Sequence, residues 1–176
     1  HIINARPDRT RYRSLTDTQL QIVRTLIRPS AVENPFPERL QLRNWLMIEL
    51  LLETGIRRGE LLKLYSTDIN KGSQHAYVSI NDREHDPRDP RVEEPALKTH
   101  GRTVGISAQL SEVYERYIQS DRRTFREGKP MQLLYHYVVS SGRGRPPSCR
   151  VLSKVLDRWF LPFELAHPGR VPTRSA

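Results

Sequence analysis

A run of apolar residues with almost no polar face constrains this chain more than any other feature. Leu42, Trp45, Leu46, Met47, Ile48, Leu50, Leu51 and Leu52 follow a helical spacing, opened by Pro37 and closed by Gly55. A proline suits a first helical turn and a glycine a left-handed cap. The spacing predicts a helix from Pro37 to about Glu53 that is the central, most buried element. The next turn of the chain conflicts with burial. In "ETGIRRGELLKL" the charges Arg57, Arg58 and Glu60 arrive directly after the apolar run, and charge at the edge of a core is costly unless something pairs with it.

Shorter elements arrange themselves around that helix. "LTDTQLQIVRTLIR" carries Leu20, Val23, Leu26 and Ile27 at helical spacing, with Thr16 or Asp17 as N-cap and an end before Pro29. A short helix from Gly59 to about Tyr65 packs Leu61, Leu62 and Leu64 inward. The pattern then alternates: "HAYVSI" and "RTVGIS" are strands, "PALKTH" reads as the middle strand between them, and together they form a small antiparallel sheet. Residues 81–94, "NDREHDPRDPRVEE", have no apolar period and are expected to form a mobile loop. "SAQLSEVYERYIQSDRR" returns to helical spacing. "LLYHYVVSSGRGRPPS" is an extended segment leaving by a Gly/Pro turn, and Ser148 caps a last helix to about Phe160. The expected class is mainly α with a small three-stranded antiparallel sheet, as a single domain over 1–176 with a lead-in over 1–11 and an irregular tail over 161–176.

Charge narrows the partner. The chain has 29 Lys and Arg against 20 Asp and Glu, a net charge of +9, which points toward a polyanion such as nucleic acid. Its longest apolar stretch, 46–52, is interrupted by Glu49 and is far too short to span a bilayer, so no membrane partner is expected. Cys149 is the sole cysteine, which rules out an intramolecular disulfide and favours a reducing compartment. The expected location is cytoplasmic and nucleoid-associated.

In the last helix Arg150, Lys154 and Arg158 fall four residues apart on one ridge, opposite Val151, Leu152, Val155, Leu156, Trp159 and Phe160. Three cations in a row can track phosphates along a DNA backbone, or can be an ordinary solvated face. Arg143 and Arg145 in the preceding turn favour DNA.

The element T-G-x-R-x-x-E-L at the end of an apolar helix resembles the first catalytic box of the tyrosine recombinases, or phage integrases. "LTDTQLQIVRTLI" is similar to the first helix of that family's catalytic domain, "ALKTHGRTVGIS" to its lysine-bearing hairpin, and "YVVSSGRGRPPSCRVLSKVL" to its strand-turn-helix. The resemblances keep the family's order over most of residues 12–160. They imply that Arg57 takes the place of the first catalytic arginine, Glu60 that of the acidic residue three positions on, and Lys98 that of the hairpin lysine. Arg102, Arg143, Arg145, Arg150, Lys154 and Arg158 become the expected DNA contacts. A planar guanidinium suits a phosphodiester, because it grips two non-bridging oxygens and stabilises the charge of the pentacovalent transition state. Lys98 would give a proton to the 5′-hydroxyl leaving group. No cofactor or metal is implied. The partners implied are duplex DNA and, for the intact parent, other recombinase protomers in a synaptic complex.

The family's second box, H-x-L-R-H, and its tyrosine nucleophile have no clear counterpart. "AHPGR" offers His167 and Arg170, but Pro168-Gly169 between them opposes the helix that box needs. Tyr114, Tyr117, Tyr135 and Tyr137 precede the place of the nucleophile, and core packing is their expected role. A chain that begins at His1 and ends at Ala176 is expected to be a piece of a longer protein that cleaves and rejoins DNA through a 3′-phosphotyrosyl link, with the piece itself inactive. The alternatives are a non-catalytic DNA-binding regulator using helix 148–160, a basic protein-interaction domain, and a type IB topoisomerase.

Overall fold

The computed structural model describes residues 16–83, 85–87, 89–95, 100–120, 137–139 and 146–166, the last eight as backbone only. Helix α1 spans Asp17–Leu26. Thr16 caps it reciprocally: its hydroxyl accepts from the Gln19 N–H at 3.3 Å, and the Gln19 side chain accepts from the Thr16 N–H at 2.9 Å. Helix α2 spans Glu38–Thr54 and ends at Gly55, whose φ of 62° is the left-handed geometry that favours glycine. Leu46, Met47, Ile48 and Leu50 on α2 are fully buried, each contributing about 1.5–3 kcal/mol of transfer free energy. The helix is not uniformly apolar inside. Arg43 and Asn44 are buried as well, with Arg43 donating to Asn44 Oδ1 at 3.0 and 2.7 Å.

Helix α3, Arg58–Leu62, comes at once and leads through a 3-10 turn at Ser66–Asp68 into strand β1, Ile69–Lys71. Strands β2, Ala76–Ile80, and β3, Arg102–Ile106, complete an antiparallel sheet in the order β1-β2-β3, with Val78 opposite both Ile69 and Val104. This corrects the expected strand order. "HAYVSI" is the middle strand and pairs directly with "RTVGIS", so "PALKTH" cannot lie between them. The third strand is the three-residue β1, too short to show alternation. Gly72 closes the β1–β2 turn, where an added Cβ would lie 2.6 Å from the His75 carbonyl oxygen.

Helix α4 covers Ala108–Gln119 and packs with β3 against α2; helix α5 covers Cys149–Ala166 and packs against α1 and α3. Residues 161–166 are therefore helical, not irregular tail. The apolar spacing through Trp159, Phe160 and Phe163 continues past Pro162, a residue that normally signals a helix end. Tyr137 bridges to Tyr65, and the Val138 N–H donates to the Leu64 carbonyl at 2.8 Å, which seats the segment 137–139 in the core beside α3. Among the described residues no helix is long and apolar enough to cross a membrane.

The described residues of the excursion between β2 and β3 form no helix or strand, and polar groups that apolar periodicity does not register anchor them. Arg83 makes a two-pronged contact with buried Asp68 at 2.6 and 2.7 Å and lies 3.9 Å from the centre of the Tyr65 ring. Arg91 pairs with Asp89 and donates to the Leu62 and Pro147 carbonyls, both at 3.1 Å. Burial of these charges is tolerable because each one is met.

Candidate functional site

Gly55 turns the chain out of α2 and lets Ile56 enter the core, 3 % exposed, while Arg57 and Arg58 face solvent at the start of α3. An arginine cannot accept a capping hydrogen bond, so α3 begins with only the reverse half of a capping box: the Arg57 N–H donates to Glu60 Oε2 at 2.8 Å. That bond fixes the Arg57 backbone and leaves its side chain free to reach outward. Among the described residues no hydrogen bond or ion pair holds the Arg57 guanidinium.

Glu60 is the buried centre of the site, 4 % exposed. Arg102, at the first position of β3, presents Nη1 to Oε1 and Nη2 to Oε2, both at 2.9 Å. The hydrogen bonds to Glu60 raise the Arg102 pKa against the opposing effect of burial, so the guanidinium stays charged. This answers the problem posed by charges at the core's edge. The resemblance gave Glu60 only the place of the family's acidic residue; in the structure it holds the Arg102 fork and the Arg57 main chain. It also shows Arg102, expected as a DNA contact, to be committed to Glu60 while remaining one third exposed.

Arg58 Nη1 donates to Ser153 Oγ at 3.4 Å, a weak link that sets the start of α3 beside α5. Ser153 lies between Arg150 and Lys154 in sequence, and Arg150, Lys154 and Arg158 are all exposed. The contact places the start of α3, with Arg57 and Arg58, against the N-terminal part of α5. Lys98, Arg143 and Arg145 lie outside the described residues, as do His167 and Arg170.

Sequence reasoning missed a second cluster, directly behind α3. Lys63, the C-cap of α3, is buried, pairs with Glu94 and donates to the Arg83 carbonyl at 2.7 Å. The hydrogen bond from Lys63, with that from the Asp86 N–H, holds the Glu94 pKa below the usual carboxylate value. Tyr65 donates to Asp86, and Tyr137 lies edge-on to Tyr65 at 5.2 Å between ring centres. Burial, aided by Asp89, raises the Tyr137 pKa above the normal phenol value. A buried phenol that resists ionisation is a poor nucleophile, in line with a packing role for Tyr137; Tyr117 is buried as well, and the Tyr114 hydroxyl donates to the Ser66 carbonyl at 2.9 Å. Tyr135 lies outside the described residues. The signal for this cluster was the dense opposite charge of residues 82–94, which reads equally well as a solvated loop. No three His, Cys, Asp or Glu side chains among the described residues gather as a metal-binding group.

The family model described as "Phage integrase family" matches residues 13–168. Three solved structures are similar in fold at 16 % identity. The XerH site-specific recombinase bound to difH substrate in a pre-cleavage complex aligns with a TM-score of 0.63 over 92 % of this chain and 38 % of that one. The Tn1549 transposon integrase in complex with circular intermediate DNA gives 0.61 over 93 % and 48 %. The XerA recombinase gives 0.54 over 90 % and 45 %. The chain therefore spans less than half the length of the structures it resembles. A search of curated proteins found no match.

Proposed function

The chain belongs to the phage integrase family of tyrosine recombinases, and from that membership we propose that it forms most of the catalytic domain of an enzyme that cleaves and rejoins DNA at specific sites through a 3′-phosphotyrosyl intermediate. The observation that carries the reading is the state of the first box. Arg57 is exposed with its backbone fixed by Glu60, while Glu60 is buried and neutralised by Arg102. A guanidinium set out from a rigid support is what a phosphodiester needs, since preorganised charge stabilises a transition state at no cost in reorganisation at the moment of reaction.

In this mechanism a tyrosine phenol attacks phosphorus, the P–O5′ bond breaks, and the 5′-oxygen takes a proton. Arg57 binds the non-bridging oxygens as their charge grows, and Lys98 supplies the proton. Glu60 and Arg102 hold the Arg57 main chain and the start of β3 in place. The α5 ridge of Arg150, Lys154 and Arg158, with Arg143 and Arg145, engages backbone phosphates. The nucleophile and the second His/Arg box come from elsewhere in a longer protein, so the 176-residue chain binds duplex DNA without cutting it. Other protomers join the longer protein on DNA.

The test is covalent trapping on a nicked duplex whose cleaved strand loses a short fragment and so cannot be resealed. The longer protein should form a protein–DNA adduct that protease removes, and the 176-residue chain should not. An adduct from the chain alone would move the nucleophile to one of its own tyrosines. No adduct from either, together with intact DNA binding, would favour the non-catalytic regulator.

A further inference from the structure

Arg91 belongs to the excursion between β2 and β3, yet its side chain is only 7 % exposed. Asp89 holds the guanidinium in one orientation: its carboxylate accepts from Arg91 Nε at 2.7 Å, from Nη2, and from the Arg91 main-chain N–H at 3.0 Å. Asp89 is itself buried, and its N–H donates to the Asp86 carbonyl at 2.9 Å to close a turn. Arg91 Nη1 reaches outside the excursion. It donates to the carbonyls of Leu62 and Pro147, both at 3.1 Å.

Both acceptors sit at a helix end. Leu62 is the last residue of α3, and a terminal carbonyl has no partner within its own helix. Pro147 is buried and directly precedes Ser148, whose hydroxyl accepts from the Val151 N–H at 3.4 Å at the start of α5. Arg91 thus ties the end of the helix that follows Arg57 to the beginning of the helix that carries Arg150. The middle of α5 has its own anchors, because Leu152 and Val155 are buried in the core. Its first turn does not share them: Cys149 and Arg150 are exposed, and this turn is fixed through Pro147. A lysine in place of Arg91 could not meet Asp89, Leu62 and Pro147 together, since it lacks the rigid planar fork.

We propose that Arg91 is a positioning residue for DNA contact by Arg150: it sets the first turn of α5 against α3, and so the place of Arg150 relative to Arg57. The inference rests on the reading of Arg150 as a phosphate contact. Its consequence is local. Without the Arg91 link the first turn of α5 frays, while Leu152 and Val155 keep the rest of the helix in place. One phosphate contact is then lost, and that of Arg158, about two turns further along, is kept.

The experiment measures duplex affinity of the full-length protein across a range of salt concentrations, where each phosphate contact contributes about 0.9 to the slope of log affinity against log salt. Arg91→Lys preserves the net charge, and a loss of stability alone reduces the amount of folded protein without changing the slope, so a smaller slope reports a lost contact. Arg91→Lys should reduce the slope by about 0.9, Arg150→Gln by the same amount, and the two together by no more than either. Arg91→Lys combined with Arg158→Gln should lose about 1.8. Asp89→Asn, which releases the fork while retaining Arg91, should also lower the slope and keeps the test open if Arg91→Lys does not fold. A wild-type slope in Arg91→Lys, losses that add with Arg150→Gln, or losses that fail to add with Arg158→Gln overturn the positioning role alone. An unchanged slope in Arg150→Gln overturns the phosphate reading of Arg150, and the positioning claim with it.

Discussion

Glu60 receives both terminal nitrogens of Arg102 at 2.9 Å, joining two residues that are 42 positions apart. The carboxylate is buried and the guanidinium one third exposed, so removing the negative charge leaves a cation that water reaches only in part. We expect Glu60→Gln to destabilise the chain by about 2 kcal/mol, below the range for a fully buried pair because solvent screens Arg102. Urea unfolding of the two proteins measures it. An unchanged midpoint would show that the contact contributes nothing to stability.

Gly55 isolates the cost of backbone conformation. Its φ is 62°, and a Cβ built there meets no atom within 4 Å. Gly55→Ala should therefore cost about 1–2 kcal/mol from the left-handed geometry alone, whereas Gly72→Ala, whose Cβ would run into the His75 carbonyl, should cost more. The order of the two unfolding midpoints is the readout.

The Lys63–Glu94 contact has a pH signature. Glu94 has a lowered pKa in the folded chain, so its stabilising contribution is present above the unfolded carboxylate value and is lost as pH falls through the folded one. The Asp86 amide, which donates to Glu94, should report this in NMR spectra as a titration with its midpoint below the ordinary glutamate value. Lys63→Met should move that midpoint upward, and a midpoint already at the ordinary value in the wild type would contradict the contact.

The α5 ridge predicts a salt effect. If Arg150, Lys154 and Arg158 each neutralise one phosphate, substituting any one by Gln should reduce the slope of log affinity against log salt by about 0.9. Titrations of a duplex at several salt concentrations give that slope. Unchanged slopes for all three variants would return the ridge to a solvated face.

Local signals proved legible where one short stretch carried them. Thr16, one of the two N-cap candidates, marked the start of α1, and Gly55 marked the end of α2. Long-range pairing left no such trace. Glu60 with Arg102 and Lys63 with Glu94 each join residues more than 30 positions apart, and nothing in the local spacing favours one distant partner over another. Strand β1 failed for a different reason: three residues cannot display a period of two, so the alternation in "HAYVSI" revealed a strand but not its neighbour. The excursion after β2 was read from its lack of apolar residues, yet its order comes from Arg83 on Asp68 and Arg91 on Asp89, contacts that composition cannot distinguish from a solvated charge run. At α5 the proline at 162 masked a helix that the apolar spacing continued.

The central claim is that Arg57 acts on the reacting phosphate. In the full-length protein, single-turnover cleavage rate and duplex affinity should be measured side by side for wild type and Arg57→Ala. A contact that strengthens in the transition state should show a rate loss of about 100- to 1,000-fold with affinity changed less than about tenfold. An Arg57→Ala protein that cleaves at the wild-type rate, or whose rate falls only in proportion to its affinity, would contradict the account.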